Sequence, residues 1–292
     1  MSMNYLEKLS RIEKDEYQKA AFESQNNTVV LAGPGSGKTT VLTLKAMHLL
    51  KEGISEPRGL ACLTYSREAA REFTDRLKEL GLVRENNIFL GTVHSFCLTE
   101  ILGKFSDVYL VNIPKPIKLV PEKEKVRLFE KAKNNVQCND RYFKIERMNC
   151  ARMLGVAGVS NISIDRDEVA ELIADEYKKL LYQAGYIDYE TIIIESTKLL
   201  QERPYVRECI SAKYPWLLID EYQDLGRPLH EMVLSLINNT NIKFFAVGDP
   251  DQSIYGFQGA VPDYLLELAD RPDVQKITLR NNYRSNQEII DG

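Results

Sequence analysis

Thr28-Val-Val-Leu-Ala-Gly33-Pro-Gly-Ser-Gly37-Lys38-Thr39-Thr40 decides the reading of this chain. It opens as a short apolar run, Thr28 to Ala32, and breaks at Gly33-Pro34-Gly35-Ser36-Gly37. It then passes into a helical pattern carried by Val41, Leu42, Met47, Leu49 and Leu50. Strand, glycine-rich loop and helix in that order make a phosphate cradle. The glycines let successive backbone N–H groups turn inward around phosphate oxygens, and the following helix aims its positive end at the same place. Lys38 then supplies an ammonium for the outer phosphates, and Thr39 a hydroxyl for Mg²⁺. Gly33, Gly35, Ser36, Gly37, Lys38, Thr39 and Thr40 are the expected phosphate-binding set.

Working outward, further apolar runs occur at Leu60–Tyr65, Ile88–Val93, Trp216–Asp220 and Lys243–Asp249. Amphipathic helical patterns follow several of them, such as Ala69, Phe73, Leu77 and Leu80 after the first. Continuous apolar strands alternating with such helices predict an α/β fold whose parallel sheet is covered on both faces. Trp216-Leu-Leu-Ile-Asp-Glu-Tyr-Gln-Asp224 ends one of these strands with adjacent carboxylates. Asp220 is placed to hold Mg²⁺, directly or through water. Glu221 is the candidate general base that polarises an attacking water.

From about Lys104 to Gly185 the pattern is helical and charged, with apolar spacing at Glu122–Ala132 and Asp167–Tyr182 and a weak strand candidate at Val108–Ile113. This predicts a mostly helical insertion between the third and fourth strands. Its most basic stretch holds Arg141, Lys144, Arg147 and Arg152 around Tyr142 and Phe143. That stretch is either a track for nucleic acid or a solvated helix face beside a small core. After Asp273, Val274–Leu279 starts another strand.

The 292 residues carry 38 Lys and Arg against 42 Asp and Glu, a net charge of −4. A whole-surface basic grip on nucleic acid is excluded, so any such contact is a local groove. No apolar run approaches the ~20 residues that span a bilayer, and no membrane partner is expected. The N-terminus lacks the apolar stretch of a signal peptide. The five cysteines form no CxxC pair, which fits reduced thiols in a cytoplasmic protein rather than a disulfide framework or a zinc site.

The segments LAGPGSGKTT, LTYSREAA, GTVHSF, LLIDEYQD, VGDPDQSIYGFQGA and LRNNYRS, running in this order from residue 31 to 285, resemble those of the UvrD/Rep-like superfamily 1 DNA helicases. The resemblance implies a RecA-like P-loop NTPase core over residues 1–104 and 185–276, a helical insertion over 105–184, and the start of a second motor domain over 277–292. It implies ATP and Mg²⁺ as cofactors and single-stranded DNA, or its junction with duplex, as partner. A repair protein or nuclease is a further partner it allows. The implied activity is 3′–5′ translocation or unwinding. A DNA-responsive ATPase switch that gates a partner nuclease is the alternative, and a small-molecule P-loop kinase a more distant one.

By the same resemblance Gln18 reads adenine, and Gln252 senses the γ-phosphate. Arg284 stabilises transition-state charge, and Tyr283 stacks on the base. Asp188 and Tyr189 mark re-entry into the core. Tyr65 and Phe257 stack on DNA bases, while Thr64, Ser66, Thr92 and His94 donate to DNA phosphates. The chain departs from the pattern at Ala32, where the motif has glycine, and at Thr40 and Gln258, where many relatives have arginine. The last two remove positive charge near the nucleotide, and an arginine finger is worth about 10³–10⁵ in rate. Because the late arginine-bearing motif of the family is not among residues 1–292, this stretch alone is expected to bind nucleotide weakly and hydrolyse it poorly.

Overall fold

Strands β1 (Thr28–Ala32), β2 (Leu60–Thr64), β3 (Ile88–Thr92), β4 (Trp216–Ile219), β5 (Lys243–Gly248) and β6 (Gln275–Leu279) form one sheet in the order β3-β2-β4-β5-β1-β6. Every neighbouring pair runs parallel. The structure is a computed structural model that describes residues 3–82, 87–109, 112–162, 166–252 and 262–283. Alternate residues of the inner strands serve opposite layers. On β5, Phe244 and Ala246 enter one core with Leu217 and Ile219 of β4, while Phe245 and Val247 enter the other with Trp216 and Leu218. An apolar run read with a two-residue period on both faces requires helices on each side. Each Leu, Ile or Phe so buried contributes about 1.5–3 kcal/mol over exposure. The outer strands β3 and β6 are only partly covered.

One layer consists of α1 (Met3–Ile12), α2 (Glu16–Glu23), α3 (Lys38–His48, widening into a turn that ends at Gly53) and α4 (Arg67–Glu79). They bury Tyr5, Ala21, Val41, Leu44, Phe73 and Leu77 against the sheet. On the other face, α5 (Val93–Phe96) and α6 (Gly103–Tyr109) begin a second layer. The chain then leaves the sheet for α7 (Glu122–Asn135), α8 (Ile145–Leu154) and α9 (Glu168–Gln183). These three have their own core, in which Leu128, Phe129, Met148, Ile173, Tyr177 and Leu181 meet. The second layer resumes with α10 (Tyr189–Glu202), α11 (Pro204–Lys213), α12 (Arg227–Asn239) and α13 (Asp263–Ala269). Among the described residues no helix is long and apolar enough to cross a membrane.

Three expectations shift. The insertion does not part from the core at 105, because Phe105, Tyr109, Ile113 and Ile117 pack onto the second-layer core. The chain departs instead at a two-segment neck, where Val120 N–H donates to Ile187 O and Ile187 N–H to Lys118 O, both at 2.9 Å. Val108 is not in a strand but near the end of α6. Phe105 and Tyr109, four residues apart, share the core-facing side of that helix and outweigh the local strand preference of Val108. Finally, Ile277, Thr278 and Leu279 pair with Val30, Leu31 and Ala32. The boundary placed at 276/277 therefore falls inside β6, which belongs to the first sheet.

Candidate active site

β1 delivers the chain into the loop Gly33–Gly37 at the C-terminal edge of the sheet, next to β5 and two strands from β4. Gly37 has φ +87°, a conformation open to glycine, and a Cβ there would lie 2.5 Å from the Gln18 amide nitrogen. The loop closes on itself, with Ser36 Oγ donating to Gly33 O at 2.7 Å. Helix α3 starts at Lys38 with no side chain capping its first N–H groups. Its N-terminus thus offers donors and a positive dipole to an anion. Thr39 and Thr40 sit on the first turn, and Thr43 Oγ1 bonds back to their carbonyls at 2.8 and 3.1 Å.

Across the edge, β4 ends at Ile219 and presents Asp220 and Glu221. Asp220 N–H donates to Leu63 O of β2 at 2.9 Å, which holds the acidic turn against the sheet. Glu221 has φ 51° and ψ 51°, a left-handed conformation that costs a non-glycine residue about 1–3 kcal/mol. The turn aims its carboxylate back at the loop: Lys38 Nζ lies 3.3 Å from Glu221 Oε2. Asp220 is nearly fully buried. Burial first, and the Glu221 charge second, push its carboxyl up to about 7. No cluster of three or more His, Cys, Asp or Glu among the described residues is arranged to hold a metal. One buried carboxylate and a helix-start hydroxyl is nevertheless the donor set Mg²⁺ uses when phosphate oxygens and water complete its shell.

Several expected residues are gathered around this loop. Gln18 is buried and donates from Nε2 to Ser36 O at 2.8 Å. Its helix is held in place by buried Lys45, which bonds Phe22 O and Ser24 O. Asp15 caps α2 by accepting from Tyr17 and Gln18 N–H, and it also accepts from Asn281 and from the Tyr283 hydroxyl. Tyr283 N–H donates to Gly35 O at 2.8 Å, while its ring stays exposed. Gln18 and Tyr283 therefore both hold the loop and are tied to each other through Asp15. Gln252 lies on the far side, its amide bonded to the Asp249 carboxylate. Arg284, Phe257 and Gln258 lie outside the described residues.

The described residues expected to grip DNA, Thr64, Tyr65, Ser66, Thr92 and His94, stand at the C-terminal ends of β2 and β3, on the same edge of the sheet. Three of them make hydrogen bonds within their own turns. Thr64 is buried, and its hydroxyl donates to Ser66 O at 3.0 Å, which shapes the turn. Thr92 Oγ1 caps α5, accepting from Ser95 N–H at 3.2 Å and engaging Ser95 Oγ as well. Ser66 Oγ likewise accepts from Ala69 N–H as the cap of α4. Short hydroxyl side chains at strand-to-helix turns satisfy the helix start before anything else. Tyr65 is partly buried against the second-layer core. His94 meets Tyr189 edge-on at 5.5 Å, and burial lowers its pKa to about 4, leaving it neutral.

The basic stretch of the insertion divides. The Arg152 side chain is largely covered and bidentate on Asp188 at 2.6 and 2.9 Å, and Arg147 is paired with Asp167 and Asp140. Both are structural. Residues that sequence reasoning passed over include Gln223, Asp249 and Asp15. Gln223 stands two positions after Glu221 in DEYQD, and Asp249 opens DPDQ. Their place inside those segments was the available signal.

Fold and loop together define the class: an α/β protein with a RecA-like core and a glycine-rich phosphate loop. The family model for the UvrD/REP helicase N-terminal domain matches residues 14–273, and the chain belongs to that family. It is 32% identical over 287 residues to the ATP-dependent DNA helicase Rep of Buchnera aphidicola subsp. Acyrthosiphon pisum, covering 94% of this chain and 43% of that protein. It is 30% identical over 271 residues to the ATP-dependent DNA helicase Rep of Escherichia coli, covering 90% and 40%. It is 26% identical over 291 residues to the ATP-dependent DNA helicase PcrA of Staphylococcus aureus, covering 94% and 38%. The chain thus spans about two fifths of the length of these relatives.

Proposed function

We propose that this chain is the ATP-binding part of an ATP-dependent DNA helicase or translocase that moves 3′–5′ on single-stranded DNA. In this reading residues 3–117 and 188–279 form the motor core, and α7–α9 form an accessory domain on the neck at Leu119 and Ile187. One observation carries the reading: Lys38 and Glu221, 183 positions apart, converge to 3.3 Å at the mouth of the phosphate loop. That pairing suits a site in which an ammonium takes the γ-phosphate and a carboxylate orients water behind it.

The mechanism follows from the groups present. An incoming triphosphate offers Lys38 a more highly charged partner than Glu221, so the ammonium moves onto the β- and γ-oxygens. The N–H groups of Ser36 to Thr39 close on the same oxygens. Glu221, released on that side, accepts a hydrogen bond from a water in line with the γ-phosphorus and takes its proton as the water attacks, while the bond from the γ-phosphorus to the β–γ bridging oxygen breaks and ADP leaves. Asp220 and Thr39 would hold Mg²⁺, which neutralises charge on the phosphate oxygens. Tyr283, with its ring exposed beside Gly35, offers a stacking face for the adenine, and Gln18 lies close enough to the loop to read that base. On the DNA edge, Tyr65 offers a face for base stacking, and Ser66, Thr92 and neutral His94 stand beside it as weak donors.

The test is ATP hydrolysis by the full-length protein with and without single-stranded DNA. Stimulation by DNA is expected, with Glu221→Gln lowering kcat about 10²–10⁴-fold while nucleotide binding persists. Hydrolysis unaltered by Glu221→Gln would contradict the reading.

A further inference from the structure

We propose that Gln223 is a positioning residue for the hydrolytic carboxylate, tying Glu221 to the loop that carries Asp249 and Gln252; this rests on the ATP-hydrolysis reading above. Gln223 is 2% exposed, so both ends of its amide must find partners within the protein. They do. Nε2 donates to Glu221 Oε2 at 2.8 Å, and Oε1 accepts from Asp249 N–H at 2.9 Å. A carboxylate can only accept and a backbone N–H only donate, so the orientation of the amide is dictated by its two partners. Gln252 then donates to the Asp249 carboxylate. A continuous polar path therefore runs from Glu221 through Gln223 and Asp249 to Gln252.

Two features mark this as more than packing. Among the described residues Glu221 Oε2 has two holders, Lys38 at 3.3 Å and Gln223 at 2.8 Å. Lys38 is the group that phosphate draws away. Gln223 is then the holder that stays, fixing one carboxylate oxygen and leaving the other to meet water. The left-handed backbone at Glu221 needs such a restraint, since the residue would otherwise relax toward a lower-energy conformation. The opposite strand is also shaped around the amide. A Cβ at Gly248 would come within 2.7 Å of Gln223 Oε1 and of a Leu265 methyl, so glycine at the end of β5 is what lets the amide reach Asp249.

The test uses three variants of the full-length protein, followed by steady-state ATP hydrolysis and equilibrium nucleotide binding. Gln223→Met keeps length and fills the space but cannot bridge. Gln223→Glu keeps the acceptor for Asp249 N–H and loses the donor to Glu221. Gly248→Ala pushes the amide from the other side and leaves Gln223 itself intact. Each is expected to lower kcat by about 10²-fold, the scale of a small misplacement of a reacting group, with KM for ATP within about twofold of the parent. In a Glu221→Gln background the same changes should cost nothing further, because the group they position is gone. If both Gln223 variants hydrolyse within about twofold of the parent, or if the losses add in the double variants, the proposal is overturned. If Glu221→Gln itself leaves hydrolysis intact, the fault lies in the functional reading and not in the role of Gln223.

Discussion

Lys38 finds its carboxylate across 183 positions of chain, at the open edge of the sheet, and shares that carboxylate with Gln223. Arg152 finds Asp188 across 36 positions where the helical insertion meets α10, and both of its terminal nitrogens are engaged there with both side chains largely covered. The first region is left with charge unbalanced. Asp220, beside Glu221, is forced up to about 7 by burial and by its neighbour. The second is balanced. Burial opposes ionisation of Asp188, yet the Arg152 charge and hydrogen bonds hold its carboxyl well below the usual range. The contrast separates charges kept for a ligand from charges consumed in the architecture. Unbalanced negative charge among the described residues, facing an ammonium and an uncapped helix start, describes a place for phosphate and cation; closed pairs describe a joint.

The comparison breaks first at the joint. Arg152→Ala leaves Asp188 buried without its partner, and removing one member of a buried pair costs about 3–5 kcal/mol. Chemical denaturation should show that loss, and nucleotide binding below the melting transition should persist. Destabilisation no larger than that of an exposed arginine would erase the distinction between the two regions.

The next effect is a pH dependence of opposite sign at the two sites. The Asp220 carboxyl has its folded pKa raised to about 7, above an unfolded value of about 3.9. The proton is therefore held more tightly when folded, and this favours folding at low pH and is lost as pH rises through the folded value. Between pH 8 and 5, without divalent cations, the protein should gain on the order of 1–3 kcal/mol from this group. Asp220→Asn should flatten that gain, and Mg²⁺ with nucleotide should mask it. Asp188 behaves in reverse, since its lowered pKa stabilises the fold above the unfolded value and fails only in stronger acid. Thermal melting across pH with and without Asp220→Asn reads both, and a gain that survives Asp220→Asn would assign it to another group.

The smallest effect concerns the edge at β2 and β3. His94 is neutral there because burial lowers its pKa to about 4. Replacing it with Ala should weaken DNA binding but leave the slope of log affinity against log salt unchanged, whereas a residue that neutralises a phosphate contributes about 0.9 to that slope. A change of that size would show that His94 carries charge on DNA.

The phosphate loop was legible because its chemistry is local. A strand, three glycines and a helix start occupy adjacent positions, and Lys38 and Thr39 follow directly. The Asp220–Glu221 pair was legible for the same reason, as the end of an apolar run. What sequence could not supply were partnerships between distant or competing groups. Arg152 reads as a free cation until Asp188 is folded against it. The internal bonds of the Thr64 and Thr92 hydroxyls to Ser66 and Ser95 are set by turn geometry that the sequence does not show. The strand at Gln275–Leu279 was visible, but its pairing with β1 is a matter of topology that a short apolar run does not encode.

The central claim is that Lys38 and Glu221 converge to receive a triphosphate. Titration calorimetry of Mg·ATP into the full-length protein, parent against Lys38→Ala, addresses it directly. The parent should bind, and Lys38→Ala should lose affinity by at least about tenfold, the loss of one charge-assisted contact of about 1.5–3 kcal/mol. Equal affinity for the two proteins would contradict the account.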